Sequence, residues 1–183
     1  RKMQWTNLHL GDVFVSGKGA KLAPITSANG APVNWRPLDP MGVVFPPNTF
    51  SPDDKSGRMN MTLRPNQLQQ DDLKALDEAI LRLCCQSSER LFGKTLSESQ
   101  IRERYQGALK ISDRYPPAAR VKMCNVRYWS PSGQACEAPQ SWTEASVKPA
   151  IRVKSLWFMT GSFGVLLELT DAQVTQEEKF CPF

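Results

Sequence analysis

Cations and flat rings recur together in this sequence: Trp35-Arg36, Arg127-Tyr128-Trp129, Trp142, and the run Lys154-Ser155-Leu156-Trp157-Phe158 with Arg152 just before it. Positive side chains hold phosphates, and exposed rings stack on unpaired bases at about 1–3 kcal/mol per base. The mixture is therefore the chemistry of a surface for single-stranded nucleic acid. The competing use of the same rings is burial, since Trp and Phe supply large areas to a core. Burial is the commoner use of any one ring, but less so for Trp35, Trp129 and Trp142, which fall at strand ends or in polar loops.

Charge supports the surface reading. The net charge is +5 and the pI about 9.0, which suits a polyanionic partner. Between Arg120 and Lys154 the basic residues are Arg120, Lys122, Arg127, Lys148, Arg152 and Lys154, against only Glu137 and Glu144. This region is expected to form the electropositive surface.

Catalysis finds less to work with. Gly93-Lys94-Thr95 imitates the end of a phosphate-binding loop, but Ser88 stands where the earlier glycine belongs and the segment follows a helix rather than a strand. The one histidine, His9, has no nucleophile context around it and reads as structural. Asp53 and Asp54 sit in a Pro-rich loop, while Asp71 and Asp72 fall in a first helical turn where the helix dipole accounts for them. The five cysteines, Cys84, Cys85, Cys124, Cys136 and Cys181, are odd in number and form no CxxC pair, which predicts reduced thiols and an intracellular setting. With one histidine, no metal site is expected, and the sequence offers no catalytic residue and no cofactor motif.

These residues must be positioned by folded elements. Hydrophobic residues make up 40% and charged residues 22% of the 183, and no apolar run approaches the roughly 18 residues of a membrane span. The chain begins at Arg1 without methionine or a signal-peptide pattern and reads as a trimmed or processed chain. The segment from Trp5 to Gly17 has strand content, and residues 18–56, rich in proline and glycine, read as an irregular excursion.

Arg58 to Arg64 alternates: Met59, Met61 and Leu63 face one way, while Arg58, Asn60, Thr62 and Arg64 face the other, making a half-buried strand with a basic polar side. After Pro65, helical spacing runs from Leu68 to Leu91, with Asn66 as N-cap and Gly93 as the stop. A second helix is expected from Thr95, with Glu98 completing a capping box, to Lys110. Three strands close the chain, over residues 120–129, 150–159 and 163–174, the last two joined across Thr160-Gly161-Ser162. The order fits a small β-barrel with a helical insertion.

Parity assigns the faces of the final hairpin. Ile151, Val153, Ser155 and Trp157 share one side, and Phe163, Val165, Leu167 and Leu169 match it as core; Arg152, Lys154, Leu156 and Phe158 share the other. Without a bulge, Trp157 is then expected in the core and Phe158 beside the cations; a bulge at the Thr160-Gly161 turn would reverse the two.

The run RMNMTLRPNQLQQDDLKALDEAILRLCCQSSERLFGK, followed by RVKMCNVRYWSPSG and IRVKSLWFMTGSFGVLLELTDAQV, resembles the replication single-stranded DNA-binding proteins of phages and large DNA viruses. The resemblance covers residues 41–174. It implies an α+β, mainly β, OB-fold-like barrel with an inserted pair of helices at about 66–110, forming a single domain over 1–174 with a tail at 175–183. It also implies a non-enzymatic, sequence-tolerant hold on single-stranded DNA in replication, recombination or repair. Lys122 and Arg127 match that family's basic third strand, and Arg152, Lys154 and Phe158 its fourth. The nucleic-acid residues expected are thus Trp35, Arg36, Arg58, Arg64, Lys122, Arg127, Tyr128, Trp129, Trp142, Arg152, Lys154 and Phe158.

Single-stranded DNA is the expected partner, with RNA open because stacking and phosphate contacts serve both. Replication proteins and further copies of the chain are also expected partners, no membrane contact is, and the setting is the nucleus or a cytoplasmic replication site of a host cell. The tail TQEEKFCPF offers Glu177, Glu178 and Phe183 for recruitment, interrupted by Lys179. The alternative is a structural or protein-interaction module, such as a viral assembly component, in which the rings are core or interface.

Overall fold

In the computed structural model, residues 5–49, 52–53 and 55–176 are described. Asp54 and the segment 177–183, with its two glutamates, Cys181 and terminal Phe183, lie outside the described residues. The strands in chain order are β1 (Leu8–Leu10), β2 (Phe14–Val15), β3 (Lys21–Ser27), β4 (Val33–Trp35), β5 (Met41–Thr49), β6 (Met59–Arg64), β7 (Tyr105–Gln106), β8 (Leu109–Lys110), β9 (Ala118–Trp129), β10 (Ala135–Cys136), β11 (Ala145–Met159) and β12 (Ser162–Gln176). Three helices, α1 (Gln67–Gln86), α2 (Ser88–Phe92) and α3 (Glu98–Arg104), stand between β6 and β9.

Five strands pair in a ring. β5 pairs with β6, β6 with β9, β9 with β12, β12 with β11, and β11 with β5 again. Within this ring the β9–β12 pairing is parallel and the other four are antiparallel. Alternation sends Met61, Leu63, Val121, Met123, Val147, Ile151, Val153, Leu167 and Leu169 inside, each at most 2% exposed. The alternating faces expected for β6 are present, with Asn60 opposite Lys122 and Thr62 opposite Arg120 on the outside. β3 and β4 add to β11, and β1 and β2 add to β3.

The segment 18–56 is not an irregular excursion. It holds β3, β4 and β5, and β5 is a member of the ring. Its sequence hides this because Pro46-Pro47 lies within β5 and the register with β6 slips twice, between Val43 and Phe45 and between Phe45 and Asn48. Prolines and bulges erase the period-2 signal while the ladder on either side persists.

The helical insertion has three helices rather than two. Asn66 caps α1 as expected, its side chain accepting from Gln69 N (3.0 Å) while Gln69 Oε1 accepts from Asn66 N (2.8 Å). Ser87 ends α1, and Gly93, at φ 69°, stops the short α2. The capping box of α3 is Ser97 with Gln100, not Thr95 with Glu98: Ser97 Oγ accepts from Gln100 N at 3.2 Å and Gln100 Oε1 from Ser97 N at 3.0 Å. α3 stops at Arg104 because Tyr105 is extended (φ −79°, ψ 129°) and joins β7, short of the expected Lys110.

Candidate nucleic-acid interface

The outer faces of β6 and β9 form the floor of an open groove of about 620 Å³. Asn60 and Lys122 stand opposite each other on it, Arg120 lies two residues before Lys122 on β9, and Arg58, just before β6, also lines it. Lys110 and Gln106 come from the chain that follows α3, and Lys18 from the turn between β2 and β3. Five cations therefore line the groove, and no carboxylate does among its lining residues.

These cations crowd one another. Burial, followed by the charges of Arg58 and Lys154, holds the Lys122 ammonium below its usual range, with Glu168 opposing. Lys110 is lowered by burial and by Arg120, against the opposite pull of Asp77. Like charges gathered on a concave surface repel until an anion comes between them, so the groove is electrostatically prepared for a polyanion.

The wall carrying Gln106 to Lys110 is pinned from behind by Asp77 of α1. Its Oδ1 accepts from Tyr105 Oη (2.8 Å) and Ala108 N (2.7 Å). Gly107 permits this approach, since a Cβ there would lie 2.6 Å from Asp77 Oδ2. Burial raises the Asp77 carboxyl above its usual value, although the hydrogen bonds from Ala108, Tyr105 and Leu109 pull the other way. Tyr105 is raised strongly by burial and by the neighbouring Asp77.

The ring bordering the groove is Trp157, and Phe158, itself half-buried, packs on the core side: the reverse of the parity expectation. In β11, Val153 opposes Leu167 but Ser155 opposes Leu166, so Lys154 is an extra residue in a β-bulge. A one-residue slip exchanges the two faces of everything beyond it. Leu156 thus points inward with no exposure, and Phe158 opposes Phe163 in the core face. Phe158 packs parallel to Phe163 (centroids 6.0 Å) and edge-on to Phe92 (5.8 Å), with Lys21 Nζ 5.9 Å from its ring.

Trp157 opposes Gly164 and lies across it. A Cβ at Gly164 would meet Trp157 Cζ2 at 2.7 Å and Gln106 O at 2.6 Å. The glycine of the Phe-Gly-Val-Leu pattern is thus what lets an indole rest against the strand, half-buried and bordering the groove with Met159.

The other residues expected to bind are dispersed. Arg58 and Lys122 are in the groove. Trp35 is 2% exposed, a core residue whose Nε1 donates to Asp72 Oδ2 (3.3 Å), so its ring offers no stacking face. Arg36, Arg127 and Trp129 border a second cleft of about 420 Å³ with Lys148. There Asp171 bridges Arg127 Nε (2.9 Å) and accepts from Trp129 Nε1 (3.0 Å). Burial works against the Asp171 charge, but the bonds from Arg127, Trp129 and Thr170 outweigh it and hold the carboxyl below its usual value.

Tyr128 and Trp142 pack against the core with centroids 6.3 Å apart. Arg152 and Lys154 lie on β11 between the two clefts, Lys154 paired with Glu168 at 2.6 Å. Arg64 is exposed at the end of β6 and lines neither cleft.

Sequence reasoning missed Lys18, Lys110, Trp157 and Met159 as groove residues, and it placed Arg120 in the electropositive region without naming it among the binding residues. Arg120 had a usable signal, its alternation with Lys122; Lys18 and Lys110 had none, being brought in by the turn and by Asp77.

Residues 49–183 match the model of DUF5871, a family of unknown function. The chain belongs to that family. No curated protein matches this family member by sequence. Among solved structures, the single-stranded DNA-binding protein from bacteriophage Enc34 in complex with ssDNA is similar at TM-score 0.50 and 12% identity, over 93% of this chain and 97% of that one. A C-terminal truncation of the Enc34 protein gives TM-score 0.48 at 12% identity, over 93% and 95%. The fold is thus similar to that of a phage single-stranded DNA-binding protein, the kind of relative the sequence resembled.

Proposed function

We propose that this DUF5871 protein binds single-stranded DNA without catalysis, laying the phosphates along Lys18, Arg58, Lys110, Arg120 and Lys122 and stacking a base on Trp157. The observation that carries the reading is the groove itself: five cations, no lining carboxylate, and an indole held at its border by Gly164. We read the five-strand ring as an OB-type barrel, with β5, β6, β9, β11 and β12 as its successive strands. OB-folds bind oligonucleotides on the face of the second and third strands, between the loop joining the first two and the loop joining the last two. Here the groove lies on β6 and β9, with Ser56 from the first of those loops and Met159 beside the second. The DNA-bound Enc34 neighbour supports DNA as the ligand. Stacking and phosphate contacts read no base edges, so the binding is sequence-tolerant, as replication, recombination or repair would require.

Titration with oligo-dT at low salt should quench tryptophan fluorescence. The logarithm of affinity should fall against the logarithm of salt with a slope of about −0.7 per engaged phosphate, roughly −3.5 if all five cations engage. Absence of both quenching and a gel shift at low salt would refute the proposal and favour an interaction module. Matched RNA oligonucleotides in the same titration report the sugar preference.

A further inference from the structure

The second cleft lies at the far end of the same surface. β11, β12 and β9 are adjacent, and their outward residues form rows: Arg152, Glu168 and Lys122; then Ala150, Asp171 and Arg127; then Lys148, Gln173 and Trp129. The alternation along β11 keeps Lys148, Ala150 and Arg152 on one side, and beyond the bulge Ser155 and then Trp157 return to that side. The groove is therefore joined to the second cleft by one continuous sheet face. The nine steps from Lys148 to Trp157, at about 3.3 Å each, span roughly 30 Å.

The charges on this face are not equivalent. Glu168 and Asp171 occupy the middle strand and bind Lys154 and Arg127. No ion pair is formed by Arg36, Lys122, Lys148 or Arg152 among the described residues. Arg152 Nε is buried without a hydrogen-bond partner. The cleft holds Arg36, Arg127 and Lys148 against the single Asp171, and Asp171 fixes the Trp129 indole through its N–H. It thus repeats the composition of the groove, cations around a positioned indole, at the other end of the face.

Resting on the function proposed above, we propose that this cleft is a second subsite for the same DNA strand. The strand leaves the groove past Lys122 and Arg152 and is held again by Arg36 and Lys148, with a base against Trp129. The ligand class is a single-stranded polynucleotide long enough to bridge the two, and the subsite makes affinity depend on length. Asp171 is a positioning residue for Trp129 and Arg127 in this arrangement.

The test compares oligo-dT of about 5 and about 15 nucleotides, within the range of sites an OB-fold covers, on the full chain and on the Arg36→Gln/Lys148→Gln variant. Both positions are exposed, so folding should be unaffected, which circular dichroism checks. The long oligonucleotide should bind the wild-type chain at least about tenfold more tightly than the short one, with a salt slope steeper by about 1.4 for two further phosphates. The variant should lose this increment and keep its affinity for the short oligonucleotide. If the short oligonucleotide binds and the increment is missing from the wild type, or survives in the variant, the second subsite is wrong and the groove stands. If neither oligonucleotide binds, the function itself is wrong and the subsite falls with it.

Discussion

Truncating Trp157 and truncating Phe158 should separate binding from folding. Trp157→Ala removes a ring that borders the groove, so affinity for oligo-dT should fall by about 1–3 kcal/mol while the melting temperature changes little. Phe158→Ala opens space beside Phe92 and Phe163, and because Phe158 is half-buried it should cost about 2–3 kcal/mol in urea denaturation, less than the roughly 3–5 kcal/mol of a fully buried ring. The opposite pattern would restore the assignment by plain alternation. The correct one was partly legible in the sequence. A two-residue Thr160-Gly161 turn opposes Met159 to Ser162 and hence Phe158 to Phe163, and opposed residues share a face. Placing Phe163 in the core therefore commits Phe158 to it. What the residues do not announce is where β11 absorbs the mismatch, because a lysine is acceptable both as a regular outward residue and as the extra residue of a bulge.

At the scale of elements, the helical insertion does more than cover one end of the ring. Through Asp77 it fixes the wall that brings Lys110 to the groove. Because burial raises the Asp77 pKa above 3.8, the folded chain binds this proton more tightly than the unfolded one. That contribution to stability is complete below pH 3.8 and is lost as pH rises through the folded-state value. Asp77→Asn should flatten the urea midpoint over that window. It should also lower stability by about 1–2 kcal/mol overall, since an amide cannot accept from all three donors. An unchanged slope would mean that another group titrates there. The helix and its Asn66 cap were legible from local chemistry. β5 was not, because its pairing with β6 and β11 is non-local and its prolines mimic a loop. Lys110 was invisible for a related reason: its position depends on a carboxylate more than thirty residues earlier.

Over the whole molecule, burial sorts the thiols. Cys84, Cys85, Cys124 and Cys136 are free, consistent with the odd, unpaired pattern of the sequence. Burial, helped by Cys85, pushes the Cys84 thiol up to about 12, while Cys124 and Cys136 are exposed. A thiol reagent at neutral pH should therefore modify Cys124 and Cys136 promptly and reach Cys84 only when the chain unfolds, as peptide mapping after timed labelling will show. Prompt loss of Cys84 would mean that α1 detaches from the ring.

The closure of that ring carries a consequence in time. Its sealing contact joins β9 to β12, so during synthesis β9 keeps an open edge until β12 emerges, and β11, which meets β3, β4, β5 and β12, cannot complete its own neighbourhood earlier. Pairings so distant along the chain are slow to find. Between the synthesis of β9 and that of β12 the nascent chain therefore carries a sticky edge, and its groove, whose border ring Trp157 rests on Gly164 of β12, exists only once β12 is made.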